Sequence, residues 1–160
     1  MKVLSLTTFA VFLLSSSVSA GEAEKLKKYY DYYVGEWEVT KAGSDAKGTL
    51  VITDAECGNA HLTVYTFGGI TSTAIWGFNP ATKKWVGTGF GSDGSHFKAT
   101  VKGSENATVQ PGDTIVFKDT TFRGDEKIVS TWTDHIKSRD QYVMTVDGPD
   151  DSLSGQGERI

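Results

Sequence analysis

The sequence predicts an all-β fold, an antiparallel meander that closes into a barrel of about eight to ten strands, preceded by a short N-terminal helix. Three observations predict it. Apolar and polar residues alternate with period two in run after run from Gly35 onward. Turn residues punctuate those runs at intervals of about ten. No helical spacing interrupts them, so hairpin follows hairpin. A meander of that many strands would leave two bare edges as an open sheet, and closure removes them. A two-sheet sandwich is the alternative, but it needs longer crossovers than these turns supply.

Residues 1–20 read as an export signal. Lys2 is the only charge, Val3 to Leu14 is mostly apolar, and Val18-Ser19-Ala20 fits a small-residue cleavage pattern. The apolar run falls short of the roughly 20 residues that span a bilayer. Cleavage is expected near Ala20, with the mature chain secreted or periplasmic and without stable membrane insertion. The chain has 16 Lys and Arg against 20 Asp and Glu, a formal charge of −4. Loss of Lys2 makes it one unit more negative. No basic patch is present to neutralise phosphates, so nucleic acid is not an expected partner. The single Cys57 cannot form an internal disulfide. The composition sets no oligomeric state.

Residues 21–34 suit a helical segment, because Ala23, Leu26, Tyr30 and Tyr33 recur at helical spacing with charges between them. Gly35 ends it, and 35–160 reads as one barrel domain. Trp37 and Val39 alternate with Glu36, Glu38 and Thr40. Leu50 and Ile52 alternate with threonines. Ala60, Leu62 and Val64 alternate with His61, Thr63 and Tyr65. Phe97, Ala99 and Val101 alternate with Lys98, Thr100 and Lys102. Ile115 and Phe117, then Tyr142, Met144 and Val146, continue the pattern. Each alternation predicts one buried face and one more polar face. Gly68-Gly69, Asp93-Gly94 and Gly124-Asp125 supply the tight hairpins.

Gly35-Glu36-Trp37 resembles the G-x-W that opens the first strand of lipocalins and related calycin barrels. In that group the Trp closes one barrel end beneath an Arg from the last strand. The resemblance thus implies a structural closure of Gly35, Trp37 and Arg159. Tyr33-Val34-Gly35-Glu36-Trp37, the stretch Trp76 to Trp85, and Ser92-Asp93-Gly94-Ser95-His96 resemble secreted bacterial proteins of a lipocalin-like family of unknown function. The likeness covers most of the chain from about Tyr30. Its motifs are turns and barrel aromatics, so it implies a lipocalin-like barrel and no particular reaction or ligand. The disulfides and later signature motifs of true lipocalins are missing.

Motifs for chemistry are weak. Gly89 to Gly94 matches G-x-G-x-x-G, but a dinucleotide site needs that loop to enter a helix, and Ser95 to Lys102 alternates as a strand. His61, His96 and His135 fall on separate strands without the close ligand pair typical of zinc, so no metal is expected. No haem ligand stands out and no cofactor is implied. No strained serine elbow or fixed carboxylate pair appears, and no catalytic residue is assigned. Aromatic side chains in strands suit a pocket wall. Trp76, His96 and Trp132 are therefore the candidate ligand-binding residues. Three readings stand: a non-catalytic binder of a small organic ligand inside the barrel, an enzyme using the same cavity with His96 as general base, and a cavity-free barrel acting through its surface. Many strand faces carry Thr and Ser, as at Ser72 and Thr73, Thr120 and Thr121, and Ser130, Thr131 and Thr133, and alternation alone does not decide which of them point inward.

Overall fold

A computed structural model describes residues 21–101, 108–149 and 154–160. The expected signal segment, 1–20, lies outside the described residues. Helix α1, residues 21–30, runs into a 3-10 turn at Asp31–Tyr33. Ten strands follow: β1 Gly35–Lys41, β2 Lys47–Asp54, β3 Ala60–Phe67, β4 Ile70–Asn79, β5 Lys84–Gly91, β6 His96–Val101, β7 Thr114–Arg123, β8 Glu126–Ser138, β9 Gln141–Asp147 and β10 Gly155–Arg159. Each strand pairs antiparallel with its neighbours in chain order, and β10 pairs back onto β1. The sheet is thus a closed meander barrel and not a sandwich.

The register decides which residues face inward. Trp37 lies opposite Leu50 on one side and Arg159 on the other. Continuing from strand to strand, Leu50 meets Tyr65, Tyr65 meets Ser72, Trp76 meets Gly87, Gly87 meets Ala99, and Ala99 meets Asp119. Asp119 in turn meets Ser130. These residues and their alternate neighbours line the interior. Most alternations place their apolar set inside, as expected. Strand β3 is the exception. Its inward residues are His61, Thr63 and Tyr65, and its apolar Leu62 and Val64 face outward, 41% and 40% exposed. Strand β4 behaves likewise at Ile75, which lies opposite Leu62. The reason is that register is inherited from neighbouring strands, and slipping one residue would reverse the whole strand.

One end of the barrel is filled. Leu26, Tyr29, Tyr30 and Tyr33 of the helical segment pack with Trp37, Ile52, Trp85, Val101, Ile115, Ile136, Tyr142 and Met144 in a single core cluster. Tyr30 stacks on Trp85, and Tyr33 and Tyr142 both lie tilted against Trp37. The helical spacing of the tyrosines presents these rings to the base of the barrel, so α1 acts as its floor.

Arg159 ties the floor to the wall. Its guanidinium carbon sits 4.3 Å from the Trp37 ring centroid. It donates from Nη1 to Val34 O, from Nη2 to Tyr32 O at 2.6 Å, and from Nε to Asp140 Oδ1 at 3.0 Å. Trp37 Nε1 donates to Tyr33 O at 2.8 Å. Gly35 has φ +134°, and a Cβ there would run into Arg159 Nη1. Only glycine therefore lets the guanidinium reach the end of the helical segment.

Arg159→Ala removes a cation–π stack and hydrogen bonds from a charged donor, and should destabilise the barrel by about 2–4 kcal/mol in chemical denaturation. Arg159→Lys should recover less than half of that, because one ammonium cannot span the same three acceptors. Gly35→Ala should destabilise by about 1–3 kcal/mol, through backbone strain and displacement of Arg159.

Candidate functional site

Above the filled base the interior changes character. Trp76 on β4, Phe117 on β7 and Trp132 on β8 form an aromatic layer at mid-barrel. Trp76 and Phe117 meet edge-on, with ring centroids 5.9 Å apart. Phe117 and Trp132 are register partners. Gly87 makes room for Trp76, since a Cβ there would fall 2.5 Å from the indole ring. All three rings pack against the core cluster, yet all three keep partial solvent exposure. Trp37 and Trp85 below them are 0% and 2% exposed. These mid-barrel rings thus keep solvent contact that Trp37 and Trp85 lack.

The walls above that layer carry short side chains. The inward positions include Ser72 and Ala74 on β4, Gly89 and Gly91 on β5, Ala99 on β6, Thr121 on β7, Ser130 on β8 and Gly155 on β10, together with the larger Phe67 on β3, Ile128 on β8 and Val146 on β9. Barrel diameter grows with strand number, and eight strands already leave an interior that side chains just fill. In this ten-strand barrel, inward Tyr65, Ser72, Phe97 and Thr121 all keep partial solvent exposure. The serine- and threonine-rich faces are thus split: Ser72, Thr121 and Ser130 point inward, while Thr73, Thr120, Thr131 and Thr133 point outward. Phe97 and Tyr65 add aromatic wall nearer the open end.

Two polar atoms of inward side chains, Asp119 Oδ1 and Trp132 Nε1, are sealed from solvent and have no hydrogen-bond partner among the described residues. Asp119 is 6% exposed. Its other oxygen, Oδ2, accepts from Thr121 Oγ1 at 2.8 Å. Burial pushes the Asp119 carboxyl above the usual carboxylate range, against the opposing pull of Thr121 and the Thr120 backbone. Asp119 faces Ser130 and Trp132 faces Phe117, which makes Asp119 and Trp132 diagonal neighbours on one face of the β7–β8 pair. Such neighbours lie about 7–8 Å apart.

Of the three candidate lining residues, the structure brings Trp76 and Trp132 together inside and leaves His96 out. His96 starts β6 with the parity of Lys98 and Thr100, opposite to inward Phe97 and Ala99. On the outer wall its ring stacks between Phe90, at 4.8 Å, and Phe122, at 5.9 Å. Its Nε2 lies 3.2 Å from Thr88 Oγ1. It is remote from the interior because side-chain direction in a strand follows parity. Gly89 to Gly94 forms a strand end and a hairpin into β6, with Gly94 at φ +79° and no helix following. Gly35, Trp37 and Arg159 meet at the base, as described above.

Three features were not singled out by the sequence: two buried acids and the setting of His61. Asp119 is one. Asp134 is another: it faces inward from β8 beside Ile136, is buried, and accepts from Tyr33 Oη at 2.6 Å. Its carboxyl is pushed up to about 7 by burial, partly offset by the tyrosine. The third is His61, whose Nε2 lies 2.9 Å from Asp31 Oδ1 and 3.7 Å from Asp54 Oδ1. These three ligand atoms lie within 4.8 Å of one another, a spacing that could hold a metal ion. Lys27 Nζ already joins the two carboxylates at 2.8 and 2.7 Å. The protein's own ammonium supplies positive charge there, and the group reads as a clamp between α1 and the ends of β2 and β3. Burial lowers the His61 pKa, partly offset by Asp31, so the ring is neutral at pH 7.

No protein-family profile matches the chain, and no curated protein matches it in sequence.

Asp134 makes stability depend on pH. Its folded pKa of about 7 lies above the ordinary aspartate value of 3.8. Between these values the folded state keeps a proton that the unfolded state releases, so stability falls as pH rises from about 4 to 7. Asp134→Asn keeps an acceptor for Tyr33 and removes this titration. The stability difference, variant minus wild type, should rise by up to about 3–4 kcal/mol from pH 4 to pH 7.5 in urea denaturation. A pH-independent difference would show that Asp134 does not carry the titration.

Proposed function

We propose that this protein is an exported, non-catalytic lipocalin-like carrier that holds one small organic molecule in the upper half of its barrel. The observation that carries this reading is the boundary at mid-barrel: inward Trp76, Phe117 and Trp132 keep solvent exposure, whereas Trp37 and Trp85 beneath them are sealed. An apolar, aromatic-lined recess with a few polar groups on its wall is the usual form of a small-molecule site. The layer of rings offers a flat platform, and the short residues above it leave volume for a ligand of modest size. The helix lies across the opposite end, so the ligand enters from the end of the Gly68-Gly69, Asp93-Gly94 and Gly124-Asp125 hairpins. The resemblance of the sequence to secreted lipocalin-like proteins agrees with this assignment. Catalysis is not part of it: His96, the one base suggested for such a role, stacks on the outer wall between two phenylalanines.

The neutral fluorophore N-phenyl-1-naphthylamine tests the reading. It should bind at about one molecule per chain, with enhanced emission and quenching of tryptophan fluorescence. Ala99→Phe places a ring into the upper interior from β6 and should abolish uptake. Overpacking of this kind costs about 1–3 kcal/mol, which thermal denaturation measures separately. Absence of uptake by the wild-type protein, or unchanged uptake by folded Ala99→Phe, would overturn the internal site.

A further inference from the structure

The His61–Asp31–Asp54 group at the base of the barrel has donors of two kinds brought together from three elements. Asp31 belongs to the 3-10 turn after α1, Asp54 ends β2, and His61 lies opposite Asp54 on β3. His61 is the fixed member. Its ring is 3% exposed, packs edge-on to Trp85 at 5.3 Å, and turns Nε2 toward both carboxylates. Nε2 lies 2.9 Å from Asp31 Oδ1 and 3.7 Å from Asp54 Oδ1. Ligands held about 2.1 Å from one ion at tetrahedral angles stand about 3.4 Å apart, and both separations bracket that spacing. The carboxylates are the adjustable members, with side chains 41% and 59% exposed. Charge favours the same reading. Lys27 Nζ lies 2.8 Å from Asp31 Oδ1 and 2.7 Å from Asp54 Oδ1, so one ammonium is shared by two carboxylates. One negative charge is left over, and a divalent ion would balance both. The Lys27 ammonium marks the place where the group takes a cation. Its flexible stem lets it withdraw when a stronger one arrives.

We propose that His61, Asp31 and Asp54 form a site for a divalent transition ion of the Zn2+ type, which displaces Lys27 and completes its coordination with water. His61 Nε2 gives the ion its lone pair, and the ring keeps its one proton on Nδ1. Lys27 keeps its charge and turns to solvent. Burial holds the His61 pKa below its ordinary value, so protons compete little for the ring at pH 7. A nitrogen donor beside two carboxylates suits Zn2+, whereas Ca2+ takes six to eight oxygens. The bound ion ties α1 to β2 and β3, and so holds the floor against the wall.

Zinc chloride titrated into the untagged mature protein at pH 7.5, in a non-coordinating buffer, tests the site by calorimetry. One ion per chain should bind with Kd below about 100 μM, and the thermal midpoint should rise with Zn2+ concentration. Lys27→Met removes the competing ammonium and should tighten binding at least about fivefold. Asp54→Asn should weaken it at least about tenfold. The imidazole 15N resonances of His61 should move on Zn2+ addition, while those of His96 and His135 stay in place. That readout uses the wild-type chain and decides the matter if a variant does not fold. Absence of binding by the wild-type protein, unchanged affinity in folded Lys27→Met, or shifts confined to His96 and His135 would overturn the site. Displacement of Zn2+ by equimolar Ca2+ would overturn the part assigned to the His61 nitrogen.

Discussion

The stack of Arg159 on Trp37 is the contact on which the rest of the barrel depends. It joins the first strand to the last, and so coincides with the seam that closes the sheet. The same guanidinium reaches the carbonyls of Tyr32 and Val34, where the helical segment hands over to β1. One side chain therefore fixes both closure and floor. Its fork geometry suits the task, since a planar group can stack and donate in several in-plane directions at once. Gly35 is the accommodation the backbone makes for it.

With the base packed, the interior divides into two regions. Below the Trp76–Phe117–Trp132 layer, large side chains from α1 and the strands meet in a continuous core. Above it, short inward side chains stand among larger ones such as Tyr65 and Phe97. Buried charge follows the same division. Asp134 in the lower half is answered by Tyr33, whereas Asp119 in the upper half keeps an oxygen without an answering group.

Much of this was legible in the sequence. Period-two alternation located the strands, the tyrosine spacing located the helix, and Gly35-Glu36-Trp37 with Arg159 located the base. Trp76 and Trp132 were visible as inward aromatics because they stand among residues of strand character. His96 was misjudged although its parity with Thr100, and against Phe97 and Ala99, already pointed outward. Asp119 and Asp134 carried a comparable signal: each sits two residues from an inward apolar residue, Phe117 and Ile136 respectively. An acid in phase with a buried stripe marks a buried acid, and that rule would have found both. The reversal of β3 was not legible, because Leu62 and Val64 follow the apolar phase and only neighbouring strands set their direction. Nor was the His61–Asp31–Asp54 group, whose members come from three elements and meet only through the docking of α1.

The central claim is that the barrel is sealed at Trp37 and open above Trp132. Indole N–H resonances of the four tryptophans in a 15N–1H NMR spectrum, assigned by single substitution, test it most directly. On addition of N-phenyl-1-naphthylamine, the signals of Trp76 and Trp132 should shift, while those of Trp37 and Trp85 stay in place. Four unmoved signals, or a shift confined to Trp37 and Trp85, would contradict the account.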